Sequence, residues 1–111
     1  MPILADEVLK NIVKKIMVIK PWGSYKVLLT QPYCKVKKLV INPKQKLSYQ
    51  YHDKRSEVWT VVRGEATIIL DDEKVFRSYG ETIKIPQGAK HRIINEDEYK
   101  RIVELISTLN K

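Results

Sequence analysis

The sequence predicts an all-β domain, an antiparallel sandwich or barrel, led by one short helix. Three observations carry this. From residue 25 onward apolar and polar residues alternate with a period of two, the spacing that turns one face of a strand to a core. The alternating runs are short and rich in β-branched and aromatic residues. Pro32, Pro43, Gly64, Gly80, Pro86 and Gly88 fall between the runs, where chain reversals need them.

The elements follow in order. Leu9, Ile12, Val13 and Ile16 lie at helical spacing within residues 6–16, with charges on the other face. This apolar stripe packs on the domain or on a second copy of it, and a homodimer is expected. Strands are expected at 25–30 (YKVLLT), 33–42 (YCKVKKLVIN), 46–52 (KLSYQYH), 57–64 (EVWTVVRG) and 65–70 (EATIIL). Asp71-Asp72-Glu73 turns the chain into 74–79 (KVFRSY), followed by 81–86 (ETIKIP), 91–95 (HRIIN) and 100–107 (KRIVELIS). Residues 1–19 are read as a helical extension and 20–111 as the barrel domain.

A chain of 111 residues accommodates one compact domain. No apolar run approaches the roughly 20 residues that span a bilayer, so no membrane partner is expected. The N-terminus intersperses Asp6, Glu7, Lys10, Lys14 and Lys15 among its apolar residues, unlike a secretory signal. With Cys34 the single cysteine, a reducing, cytoplasmic location is expected. The net charge of +8 raises nucleic acid as a partner. The lysines, however, are spread along the whole chain, and no nucleic-acid-binding motif accompanies them. The preferred reading is a solvated lysine-rich surface; the alternative is that part of the charge lines a pocket for an anionic metabolite such as a phosphate.

The chemistry concentrates in two stretches. Gly80-Glu-Thr-Ile-Lys-Ile-Pro86-Gln-Gly88-Ala-Lys-His91-Arg-Ile-Ile-Asn95 matches the pattern G-x5-P-x-G-x2-H-x3-N at every specified position. This resembles the second motif of the cupin barrels, with His91 opening a strand and pointing inward, and Asn95 ending it by bonding local backbone. Gln50-Tyr-His52-Asp-Lys54-Arg-Ser-Glu57-Val-Trp59 through Gly64 resembles the first cupin motif more loosely. Gln50 and His52, two apart, point to one face, and Glu57 shares the inward face of the next strand with Trp59 and Val61. Gln50, His52, Glu57 and His91 together offer a mixed N/O set. Such a set suits a divalent metal, Zn, Fe, Mn, Ni or Co, with positions left open for water or substrate. The chain has only two histidines, and both sit at motif positions.

A closer resemblance runs through residues 20–107. Lys20-Pro-Trp-Gly-Ser-Tyr25 looks like the R/K-P-W-G-x-Y entry of type II mannose-6-phosphate isomerase domains, which also form the C-terminal part of bifunctional isomerase/GDP-mannose pyrophosphorylases. The similarity continues through Lys35-Val36-Lys37, Leu47-Ser48-Tyr49-Gln50-Tyr51-His52, Arg55-Ser56-Glu57-Val58-Trp59, Pro86-Gln87-Gly88 and His91-Arg92. The resemblance implies a metal-dependent interconversion of mannose 6-phosphate and fructose 6-phosphate, with Gln50, His52, Glu57 and His91 as ligands. Arg55 and Arg92 match family positions and are candidates for the phosphate or the reacting oxygens. Asp53 and Lys54 stand where the family carries further histidines, which makes Lys54 the third candidate in the catalytic group. The family's acidic, aromatic tail ending in Y-G-R and the glycine-rich nucleotide-binding signature have no counterpart in these residues. The alternative expectation is therefore a non-catalytic, metal-containing cupin that binds a sugar phosphate or related anion.

Overall fold

The computed structural model describes residues 17–98 and 103–110. The expected helix at 6–16 lies outside them. Nine strands are present among the described residues: β1 (Met17–Lys20), β2 (Gly23–Thr30), β3 (Cys34–Ile41), β4 (Ser56–Arg63), β5 (Glu65–Leu70), β6 (Glu73–Ser78), β7 (Thr82–Ile85), β8 (His91–Ile94) and β9 (Val103–Asn110). They form a six-stranded sheet, β1-β2-β3-β9-β4-β7, and a three-stranded sheet, β6-β5-β8. Every pairing is antiparallel. No helix among the described residues is long and apolar enough to cross a membrane.

Alternation decides what faces inward. Along β9, Val103, Leu105, Ser107 and Leu109 are buried while the residues between them are half-buried, and β4 buries Glu57, Trp59 and Val61 in the same rhythm. Ile41, Trp59, Val61, Ile83, Ile85, Val103 and Leu105 from the large sheet meet Ala66, Ile68 and Ile93 from the small one in a single core. Leu105 has no exposed surface. Leu105→Ala is expected to cost about 2–5 kcal/mol, seen as a lower urea midpoint, because the surrounding strands cannot close the cavity.

The turns match their residues. Asp71 and Asp72 both take positive φ, 47° and 68°, which joins β5 to β6 through a two-residue reversal whose twist suits the strands. Gly23 adopts φ 149°, and a Cβ there would run into the Val40 carbonyl oxygen of the neighbouring strand. The Pro21-Trp22 reversal between β1 and β2 therefore seats itself against β3, and Asn42 N–H donates to the Trp22 carbonyl at 2.9 Å.

One expected strand is absent. Residues 46–52 form no strand. They run extended along β8, paired only through isolated bridges at Lys46–Ile94 and Gln50–His91. Ser48 accepts a hydrogen bond from the Gln50 amide at 2.6 Å, a local polar contact that competes with regular ladder geometry. Asn95 makes the local bond expected, Oδ1 accepting from Asp97 N–H at 3.1 Å. Its Nδ2 also donates to the Ile41 carbonyl at 2.9 Å, fastening the end of β8 to the end of β3.

Candidate metal centre

One turn holds the two segments that carry the histidines. The Asp71 amide donates to the Lys90 carbonyl at 2.8 Å, and the Lys90 amide returns a bond to Asp71 Oδ1 at 2.9 Å. Beside it, the Tyr49 hydroxyl donates to Asp72 Oδ1 and accepts from the Asp72 amide, both at 2.9 Å. Gln50 and His91 exchange backbone bonds of 3.0 and 2.7 Å, and the Gly88 amide donates to the His52 carbonyl at 2.8 Å. The Pro86–Gly88 turn of the second motif thus fixes the residue supplied by the first.

His52, Glu57 and His91 converge so that one ligand atom from each lies within 4.8 Å of the others, the one such group among the described residues. Glu57 Oε2 stands 3.2 Å from His91 Nε2 and 3.7 Å from His52 Nε2. Ligands about 2.1 Å from a tetrahedral ion are separated by about 3.4 Å, so this spacing fits a divalent metal. The buried Oε2 has no hydrogen-bond donor aligned on it, while Oε1 accepts from Ser107 Oγ at 3.0 Å and Trp59 Nε1 at 3.3 Å. The second carboxylate oxygen is thereby oriented and left for a cation.

The imidazole tautomers follow from their partners. His91 Nδ1 lies 3.0 Å from the Ala89 carbonyl, which can only accept, so Nδ1 carries the proton and Nε2 faces Glu57. An Nε2 lone pair against a carboxylate is repulsive unless a proton or a metal ion sits between them. Burial lowers the His91 pKa, but the Glu57 bond and charge and the Ala89 carbonyl outweigh it and leave it raised. Burial would raise Glu57, yet His91, Trp59 and Ser107 together draw it down to about 2. Burial first and Arg55 second lower His52, whose Nε2 accepts from Arg55 Nη2 at 2.8 Å.

These groups open on a cavity of about 330 Å³. Gln50, His52, Glu57, His91, Arg55 and Arg92 all line it. The Gln50 side chain is itself engaged with Ser48. Lys54 is exposed and lies with Tyr51 and Asp53 in a shallow outer depression that shares His52 and Arg55 with the cavity, whose own lining does not include Lys54. Sequence reasoning missed Lys20, Lys37 and Ser107, which also line the cavity. A signal existed for two of them: Lys37 and Ser107 interrupt the inward apolar registers of Leu39–Ile41 and Val103–Leu109 with a polar side chain. Lys37 Nζ sits 5.0 Å above the Tyr25 ring. Its pKa is lowered by burial and then by the neighbouring Lys35 and Arg55. Trp59 is core, 4% exposed, with its ring centroid 5.4 Å from that of His91 in a T-shaped contact, so it braces that imidazole.

The family described as mannose-6-phosphate isomerase, C-terminal, matches residues 8–108. The chain belongs to that family. The mannose-1-phosphate guanylyltransferase of Sinorhizobium fredii (strain NBRC 101917 / NGR234) is 35% identical over 88 residues, 79% of this chain and 17% of that protein. The enzyme of the same name from Escherichia coli (strain K12) is 36% identical over 78 residues, 70% of this chain and 16% of the relative. This member of the mannose-6-phosphate isomerase C-terminal family therefore spans about one-sixth of the length of those relatives. Among solved structures, the capsular polysaccharide assembling protein CapF from Staphylococcus aureus superposes with a TM-score of 0.76 at 24% identity, over 86% of this chain and 30% of that one. The cupin domain of Cnp3 from Schizosaccharomyces pombe gives 0.74 at 12% identity, over 79% and 64%. Both likenesses establish the cupin fold.

Proposed function

We propose that this chain is a metal-dependent sugar-phosphate isomerase that interconverts mannose 6-phosphate and fructose 6-phosphate. The observation that carries the reading is the shared cavity: the His52, Glu57 and His91 trio opens into a space also lined by Lys20, Lys37, Arg55 and Arg92. Gln50, His52, Glu57 and His91 would hold a divalent ion, Zn, Mn, Co, Ni or Fe. When bound, such an ion supplies Lewis-acid stabilisation of the negative charge that develops on the sugar oxygens. Arg55 and Arg92 present planar forks suited to a phosphate, and the two lysines add point charges around it. Trp22, Leu39 and Leu47 form the apolar wall that keeps water from the reacting carbons.

Moving a proton between C1 and C2 needs a group free of the metal. With His52, His91 and Glu57 committed, Lys37 is the cavity residue whose amine burial makes more acidic. Lys37→Met is expected to lower turnover about a hundredfold while metal content stays unchanged. Equal turnover in variant and wild type would remove Lys37 from this role.

The test is elemental analysis of the purified protein together with a coupled assay on mannose 6-phosphate. Stoichiometric divalent metal, fructose 6-phosphate formation and its loss on chelation are expected. The second reading is a non-catalytic, metal-containing cupin that binds a sugar phosphate. The position of Lys54 outside the cavity favours it, since neither Asp53 nor Lys54, at the family's further histidine positions, lines that space. A metal-dependent rise in melting temperature with mannose 6-phosphate, without turnover, would select that reading. A homodimer and a cytoplasmic location belong to the same proposal. β1 is a sheet edge with Met17 and Ile19 exposed, and light scattering decides the dimer.

A further inference from the structure

We infer that Arg55 couples metal loading to anion binding: its guanidinium occupies the His52 lone pair that a metal ion needs, and passes to an anion in the cavity when the ion takes that lone pair. The inference rests on the metal-binding reading of the trio and deepens it, and it does not depend on isomerase turnover.

A neutral imidazole has one in-plane lone pair. Arg55 Nη2, a donor only, lies 2.8 Å from His52 Nε2 and claims it. The same Nε2 is the atom that faces Glu57 Oε2 and belongs to the convergent trio. Arg55 and a metal ion cannot both use it. The guanidinium is poorly satisfied where it stands, because Arg55 Nε is buried without a hydrogen-bond partner. It also lies close enough to Lys37 to depress that amine, so positive charge is crowded there. A divalent ion at the trio adds to the crowding and pushes Arg55 away. An oxyanion in the cavity draws it, offering two acceptor oxygens to the fork and relieving the unpaired Nε. Arg55 stands on the short connection between His52 and β4 and already lines the cavity, so the exchange asks for a side-chain rotation.

Linkage makes the coupling reciprocal: an anion that holds Arg55 tightens metal binding, and the metal tightens anion binding by the same factor. The experiment titrates chelator-treated protein with Co(II), followed by visible absorption, with and without inorganic sulfate, a tetrahedral dianion that leaves cobalt in solution. Wild type is expected to bind cobalt about tenfold more tightly in saturating sulfate, inside the usual range of site-to-site coupling. Arg55→Met is expected to bind cobalt about tenfold more tightly than wild type without sulfate, and to lose the sulfate effect. Lys35→Met removes the same charge from beside the cavity, where it acts on Lys37 without lining the cavity itself, and should leave the sulfate-free cobalt affinity near wild type.

Cobalt affinity in Arg55→Met no higher than in wild type would overturn the coupling. So would a sulfate effect that persists in Arg55→Met, because the anion would then act on the metal directly. An equal gain in Lys35→Met would reduce the effect to bulk charge and overturn it as well. Should Arg55→Met fail to fold, the wild-type sulfate effect decides, its absence counting against the inference. A wild type that gives no cobalt spectrum defeats the metal reading itself, an outcome distinct from a spectrum that Arg55 leaves unmoved.

Discussion

His91→Ala is expected to weaken divalent-metal binding by more than about a hundredfold and to abolish any metal-dependent turnover. Loss of a residue that merely orients a ligand costs 10–100-fold in affinity, and His91 is proposed as a ligand. The substitution also strips Glu57 of its nearest positive partner. Both residues are 6% exposed, so the carboxylate stays buried facing the space left behind. Breaking a buried pair from one side costs about 3–5 kcal/mol, and the surviving bonds from Ser107 and Trp59 place Glu57 at the lower end, about 3 kcal/mol. Calorimetric titration and thermal melting read the two effects separately. Leu105→Ala supplies the control, since it destabilises the barrel comparably without touching the trio. If His91→Ala binds metal as Leu105→Ala does, His91 is not a ligand.

Metal affinity is expected to fall by about tenfold for each pH unit below the His91 pKa, because the ion must displace one proton from Nε2. His91 is raised above its ordinary 6.5, so this loss begins nearer neutrality than for an ordinary histidine. The protein stripped of metal should show a different profile. Glu57, lowered from 4.5 to about 2, contributes stability that is present above 4.5 and lost as the pH falls toward 2. His91, being raised, contributes stability present below 6.5 and lost as the pH climbs through its folded value. The Glu57–His91 pair thus stabilises the stripped protein most between about pH 4.5 and 6.5. Metal-loaded protein should instead hold its stability as the pH rises. Melting temperatures across this range, with and without metal, check both curves. Identical profiles would show that proton and metal do not share the site.

Much of the barrel was legible because period-two alternation is a local property, and each strand carries it independently. The strands from β2 to β8 lie on the expected short alternating runs, while β9 continues three residues past the expected end at 107, to Asn110. β1 escaped notice because four residues, three of them exposed, leave almost no pattern. Residues 46–52 alternate like a strand, yet their polar side chains bond locally and to the Asp71–Asp72 turn, so they stay extended without a full ladder. In the site, His52, Glu57 and His91 were readable from motif spacing. Ser107 and Lys37 were not singled out, since their contact with the centre depends on how β9 and β3 pair in space. Sequence distance hides such neighbours: Ser107 and Glu57 are 50 residues apart.

The place of β9 in the sheet has a consequence for how the chain is made. This strand is the latest described to leave the ribosome, yet it lies between β3 and β4 and joins them along their whole length. Until it arrives, the large sheet exists as two pieces, each with an unpaired edge, and Ser107 has not yet reached Glu57. Pairings of such long sequence separation form slowly, and open edges invite association with other chains in the meantime. Synthesis of the strand that brings Ser107 to Glu57 is thus also the event that closes the sheet.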